Sequence, residues 1–134
     1  MFKKISHIGV AVNNMNEAIK LYSDVLGLRV SGIETVDEQK VKSAMIPIGE
    51  SRIELMESTD PEGPIGRFIA KRGEGIHHIS LEVDDIDKML AKLSKSGVEL
   101  IDKKPRIGAD GNKIAFVHPK SMHGVLLELS TPKK

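Results

Sequence analysis

The chain repeats itself, and no other feature narrows its possible folds as much. His7-Ile-Gly-Val-Ala-Val-Asn-Asn-Met-Asn16 resembles His78-Ile-Ser-Leu-Glu-Val-Asp-Asp-Ile-Asp87, 71 positions further on in a chain of 134 residues. At the same offset Ala44-Met-Ile46 matches Ala115-Phe-Val117. With three residues inserted, Ile53-Glu-Leu-Met56 matches Leu127-Glu-Leu-Ser130. Agreement in order, residue type and spacing reads as an internal duplication. A chain of this length holds one domain. The expected organisation is a single domain over 1–134, with repeats at 1–57 and 76–134 joined by a connector at 58–75.

Each repeat reads as β-α-β-β-β. Ile5 to Val12 alternates and is β-branched, a strand signal. Asn13 and Asn14 then offer a helix cap, and Met15, Ala18, Ile19, Tyr22 and Leu26 follow at helical spacing until Gly27 stops the helix. Leu28 to Glu34, Val41 to Ile48 and Arg52 to Glu57 read as strands. The second repeat offers a strand at Ile79 to Val83 and caps at Asp84 and Asp85. Ile86, Met89, Leu90 and Leu93 then continue at helical spacing up to Gly97. Its later strands are expected at Glu99 to Asp102, Lys113 to His118 and Val125 to Leu129. The connector is rich in Pro and Gly, with one short helix predicted from Pro64 to Arg72. Ile65, Phe68 and Ile69 line one face of that helix and are expected in the core. Only the Lys133-Lys134 end reads as lying outside ordered structure.

Composition removes whole classes of function. There is no cysteine, which excludes disulfides, thiolate-bound metals and thiol catalysis. The net charge is +1 and aromatics make up 3% of residues, so neither a basic nucleic-acid surface nor base stacking is expected. No apolar run approaches the roughly 18 residues of a membrane span. Met1 to Val12 lacks the apolar block of a signal peptide, so a cytoplasmic location is expected. There is no Gly-x-Ser-x-Gly elbow and no Walker phosphate loop.

The repeat itself singles out four residues. Each half opens its first strand with a histidine and carries a glutamate in its last strand: His7 with Glu54, and His78 with Glu128, at spacings of 47 and 50 residues. Two imidazoles and two carboxylates suit one divalent ion such as Zn, Co, Ni, Mn or Fe. Alternation puts Ile53 and Leu55 on one sheet face and Glu54 on the other, and does the same for Leu127, Leu129 and Glu128. That second face is either solvent or a cleft, and the pattern alone leaves both open. His77 points away from His78, His118 precedes Pro119 in a turn, and His123 sits in a loop; structural or solvent roles are expected for all three. Gly108-Ala-Asp-Gly111 reads as a turn. Lys103, Lys104, Arg106, Lys113 and Lys120 face a single acid, Asp110, within 103–120, which is either a solvated loop or an anchor for phosphates.

These residues resemble the vicinal oxygen chelate (glyoxalase/bleomycin resistance/dioxygenase) superfamily, and within it the methylmalonyl-CoA epimerases. The resemblance covers nearly the whole chain. It rests on Ser6-His-Ile-Gly-Val-Ala-Val12, Ile76-His-His-Ile-Ser-Leu-Glu-Val-Asp-Asp-Ile86, Ile107-Gly-Ala-Asp-Gly-Asn-Lys113, Phe116-Val-His-Pro-Lys120 and Gly124-Val-Leu-Leu-Glu-Leu129. It implies an α+β fold of paired βαβββ modules forming a curved mixed sheet cleft. It places metal ligands at His7, Glu54, His78 and Glu128, with one divalent ion as cofactor. The implied reaction interconverts the (2R) and (2S) forms of methylmalonyl-CoA through a metal-stabilised enolate. Glu128 is expected as one base, and Glu54, a water or a group the sequence does not identify as the other. Some epimerases carry a further acid/base glutamate on the strand matching Val41 to Met45, where this chain has Ser43. The same ligand set fits the lactoylglutathione lyase (glyoxalase I) reaction on the methylglyoxal–glutathione hemithioacetal. A binding or resistance protein without metal is the third reading, disfavoured by four intact ligands. The expected partner is an acyl-CoA thioester, with no nucleic acid and no membrane. Open sheet edges suggest a homodimer.

Overall fold

A computed structural model of the protein describes residues 1–108 and 111–133. The described residues form eight strands and three α-helices. The strands are β1 (Phe2–Ala11), β2 (Gly32–Val36), β3 (Val41–Ile48), β4 (Ser51–Ser58), β5 (Gly75–Val83), β6 (Arg106–Ile107), β7 (Lys113–Val117) and β8 (Leu127–Thr131). The helices are α1 (Met15–Ile19), α2 (Pro64–Arg72) and α3 (Ile86–Lys95). The strands form a mixed sheet in the order β2-β3-β4-β1-β5-β8-β7-β6. The expected fold class, α+β with paired βαβββ modules, is therefore borne out. The chain divides into two compact units, His7–His77 and Met1–Ser6 with His78–Lys134.

In the unit at 7–77, β1 pairs with β4 in parallel, while β3 pairs antiparallel with both β4 and β2. A parallel pair needs a long crossover, here α1 together with the β2–β3 hairpin. The Asn14 side chain caps α1 by accepting the Glu17 N–H at 3.0 Å. The Glu57 carboxylate takes the otherwise orphaned Met15 N–H at 2.7 Å. One uninterrupted helix to Leu26 was expected, but after Ile19 the chain widens into a π-helical turn over Lys20–Val25. There the Leu26 N–H reaches back to the Leu21 carbonyl at 3.0 Å. The wider turn lets Tyr22 pack on the core while Leu21, Val25 and Leu26 stay exposed.

Beneath α1 lies a core of Val12, Met15, Ala44, Ile46 and Leu55. The opposite sheet face is covered by α2, whose Ile65, Phe68 and Ile69 pack with Ala11, Val41 and Met56. These three are core residues, as their spacing predicted. Gly66 sits where α2 crosses the loop before it. A Cβ there would lie 2.6 Å from the Pro61 carbonyl oxygen and 2.8 Å from that of Asp60. That loop is braced by the Asp60 carboxylate, which accepts the Glu62 N–H at 2.9 Å and meets the Lys40 ammonium at 3.3 Å. The Glu62 N–H, and then Lys40, hold the Asp60 carboxyl below its usual range.

The unit holding 78–134 repeats the plan. Its β5 and β8 are parallel, β8 and β7 antiparallel, and β7 and β6 antiparallel. Asp85 caps α3 through the Lys88 N–H. The buried face of α3 (Ile86, Leu90) packs on Val83, Ala115, Val117, Leu127 and Leu129. The strand expected at Glu99 to Asp102 is reduced to a single bridge, Leu100 to Val117. The Asp102 carboxylate takes the Phe116 N–H at 2.9 Å, so a side chain replaces the next rung of the ladder. Pairing resumes only after Pro105, at Arg106–Ile107. The first repeat has the same delay: the strand expected from Leu28 pairs from Gly32 onward. Of the loop expected at 108–111, Ala109 and Asp110 lie outside the described residues, as does Lys134.

Two stability predictions follow from this packing. Leu55 is fully buried, so Leu55→Ala leaves a cavity and is expected to cost about 2–5 kcal/mol in denaturant unfolding; a loss well under 1 kcal/mol would mean that the core beneath α1 collapses freely. Gly66→Ala gains helix propensity yet drives a methyl into backbone carbonyls, and is expected to lose about 1–3 kcal/mol. A raised melting temperature for that variant would contradict the packing described.

Candidate metal centre and its surroundings

In the unit at 7–77, His7 lies on β1 and Glu54 on β4. Both occupy the face opposite the α1 core, as alternation predicts once Ile53 and Leu55 point into it. The register places Glu54 across from Gly9 on one side and Met45 on the other, with Gly32 beyond Met45. The next row reads Ala11, Met56, Ser43 and Glu34. His7 Nε2 stands 3.5 Å from Glu54 Oε1, and both side chains are largely buried. That separation is long for a direct hydrogen bond.

The other unit carries the equivalent pair. His78 is on β5 and Glu128 on β8, with Nε2 and Oε1 3.3 Å apart. They are 3% and 6% exposed, deep enough that an ionised carboxylate needs a cation, a metal or hydrogen-bond donors around it. Here too the glutamate sits opposite the residue two positions after the histidine: Ser80 faces Glu128 as Gly9 faces Glu54. Met45 across from Glu54 corresponds to Phe116 across from Glu128. The duplication seen in the sequence is therefore a duplication of sheet register, down to the residues flanking each glutamate.

The neighbours of His78 and Glu128 include residues that the sequence did not flag. Ser80 and Ser130 are buried on the same face, with hydroxyls 3.5 Å apart. The Phe116 ring stands edge-on to the His78 ring, 5.9 Å between centroids. Arg106 lies over the other side of this group, its Cζ 5.5 Å from the Phe116 centroid. The available signal was two-residue periodicity: each of these lies on the ligand face of its strand, but a serine or phenylalanine there looks like ordinary packing.

The three remaining histidines take local roles. His77 packs edge-on against Phe68, 4.9 Å between centroids. The His118 Nδ1 accepts the Lys120 N–H at 3.0 Å and caps a short 3₁₀ turn at Pro119–Met122. His123 closes that turn with a positive φ of 54°. Ser43 is buried on the Glu54 face. A hydroxyl in the place of a carboxylate is too weak a base to take a carbon-bound proton at neutral pH. Its register partner on β2, Glu34, is exposed.

His7 with Glu54 in one unit, and His78 with Glu128 in the other, each offer an imidazole nitrogen and a carboxylate oxygen to a metal ion. Imidazole nitrogens with carboxylate oxygens fit first-row divalent ions, and the absence of thiolates fits that choice. No helix among the described residues is long and apolar enough to cross a membrane.

The chain is similar to proteins of a known superfamily. The family model of the Glyoxalase/Bleomycin resistance protein/Dioxygenase superfamily matches residues 6–116. An uncharacterized protein of Bacillus subtilis, YqjC, is 42% identical over 130 residues, which is 97% of this chain and 93% of the relative. The mitochondrial methylmalonyl-CoA epimerase of Dictyostelium discoideum is 40% identical over 127 residues, 94% of this chain and 76% of the relative. A solved structure of a methylmalonyl-CoA epimerase in complex with methylmalonyl-CoA and NH4+ superposes with a TM-score of 0.92 at 36% identity. It covers 98% of this chain and 95% of its own. With a duplicated βαβββ plan, a His–Glu pair in each half and relatives of this similarity, the chain belongs to the glyoxalase/bleomycin resistance protein/dioxygenase superfamily as an epimerase-type enzyme.

Proposed function

We propose that the protein is a metal-dependent epimerase of methylmalonyl-CoA, exchanging the proton at C2 of the acyl group. The observation that carries this reading is the pair of buried His–Glu sets at equivalent register positions, in a chain whose named relatives are epimerases of that thioester. His7, Glu54, His78 and Glu128 are the residues proposed to hold one divalent ion. When bound, the ion supplies Lewis acidity toward a carbonyl oxygen on which negative charge grows.

The chain's own residues do the rest. The C2 proton lies between a thioester and a carboxylate, and its removal leaves an enolate. Glu128, the buried carboxylate of its unit, is proposed to take that proton. Inversion requires a proton to return to the opposite face of C2. Glu54 is proposed for that task, because it is the repeat counterpart of Glu128 and because Ser43 offers no carboxylate. Burial of the donors excludes the bulk water that would otherwise quench the enolate without control of its face. The cytoplasmic location and the homodimer expected from the sequence belong to this reading as proposals.

The test is C2 hydrogen–deuterium exchange of methylmalonyl-CoA in D₂O, followed by NMR, with chelated enzyme before and after adding Co²⁺. Exchange that returns with the metal, together with the other epimer, is expected. Glu128→Gln should slow it by about 10²-fold or more. Absence of exchange with metal bound, alongside turnover of the methylglyoxal–glutathione hemithioacetal, would transfer the assignment to the lyase reaction.

A further inference from the structure

We infer that Arg106 is the anion-recognition residue of the site, binding a carboxylate or phosphate oxygen of the acyl-CoA; this rests on the epimerase reading above. Three observations within the unit holding 78–134 carry it. First, Arg106 is on the ligand face. It pairs with Ile114, whose neighbour across β8 is Ser130, in the row beside Phe116 and Glu128. The α3 core uses the other face of these strands, through Ala115, Val117 and Leu129.

Second, the guanidinium is held in place before any ligand arrives. Its Nε meets Asp102 Oδ1 at 3.4 Å, and its plane lies over the Phe116 ring. Asp102 is itself fixed, because its Oδ2 accepts the Phe116 backbone N–H at 2.9 Å. A guanidinium anchored through Nε keeps its two terminal nitrogens for a forked bond to a carboxylate or phosphate. Among the described residues those nitrogens have no acidic partner, and the side chain is about half exposed, at 49%. Third, the platform is continuous with the His78–Glu128 pair, since the Phe116 ring that carries Arg106 also abuts the His78 ring. A cation there is within reach of a substrate held by that pair.

The rest of the basic stretch does not share this arrangement. Lys113 points to the α3 side and pairs with Asp87 at 3.5 Å. The backbone of Lys120 closes the His118 turn. Of Arg106, Lys113 and Lys120, Arg106 is the one that combines an ion pair with a ring beneath it on the ligand face.

Calorimetric titration of the Co²⁺-loaded protein tests the inference without waiting on turnover. The probes are methylmalonyl-CoA, CoA and free methylmalonate, titrated into the wild type, Arg106→Gln, Arg106→Lys and Lys104→Gln. Arg106→Gln is expected to weaken methylmalonyl-CoA by about tenfold or more, with Arg106→Lys recovering part of the loss and Lys104→Gln leaving it unchanged. If the loss also appears with methylmalonate but not with CoA, the recognised group is the acyl carboxylate; if with CoA but not with methylmalonate, it is a phosphate. Equal affinities for wild type and Arg106→Gln, an equal loss in Lys104→Gln, or no binding of any probe to the wild type overturns the inference. A wild type that binds methylmalonyl-CoA but exchanges no C2 proton defeats the epimerase reading and leaves the Arg106 result standing.

Discussion

The parallel pairing of the first and last strands of each repeat is the constraint on which the rest depends. In β1 with β4, and again in β5 with β8, parallel register sets a histidine near a glutamate one strand away. The hydrogen bonds of the ladder fix that spacing, and side-chain alternation fixes the face. The apolar neighbours of each glutamate, Ile53 and Leu55 or Leu127 and Leu129, are committed to a core beneath a helix. Burying them obliges the glutamate to face the other way. The same hydrophobic packing that makes each unit fold thus presents its donors, and a one-residue slip would place glutamates in the core and leucines at the site.

This placement carries a stability penalty. Four groups that prefer water, two imidazoles and two carboxylates, are held with little exposure. Burial of such groups costs stability unless hydrogen-bond partners or opposite charge compensate it. Buried Ser80 and Ser130 soften the cost on one side by placing hydroxyl dipoles beside Glu128. On the other side, Gly9, Ala11 and Gly32 leave the surface around Glu54 low. The two halves share a backbone plan but differ in what surrounds the donors: small residues and Ser43 in one, hydroxyls with the Phe116–Arg106 stack in the other.

Much of this was legible in the sequence because duplication turns weak signals into strong ones. A single strand-opening histidine says little, whereas His7 and His78 at matched places, each with a glutamate before the end of its repeat, say a great deal. The helix at Pro64–Arg72 and the strand at Val41–Ile48 fall where periodicity and proline put them. What escaped was set by hydrogen bonds outside the regular helix and ladder patterns. Asp102 takes a rung of the ladder and moves the pairing strand to Arg106, and the π-helical turn after Ile19 changes which apolar residues are buried. Neither leaves a periodic trace. Arg106 was hidden for a related reason: within a run of basic residues, only the geometry distinguishes the one that is anchored and stacked.

The proposed function has His7, Glu54, His78 and Glu128 hold a single ion. Metal stoichiometry measures it most directly, by titrating chelated protein with Co²⁺ and following the visible spectrum and calorimetric heat. The account predicts one equivalent per chain, with His7→Ala and His78→Ala each weakening that same binding event by about 10²-fold or more. Two equivalents per chain, each lost only in the variant of its own half, would contradict it.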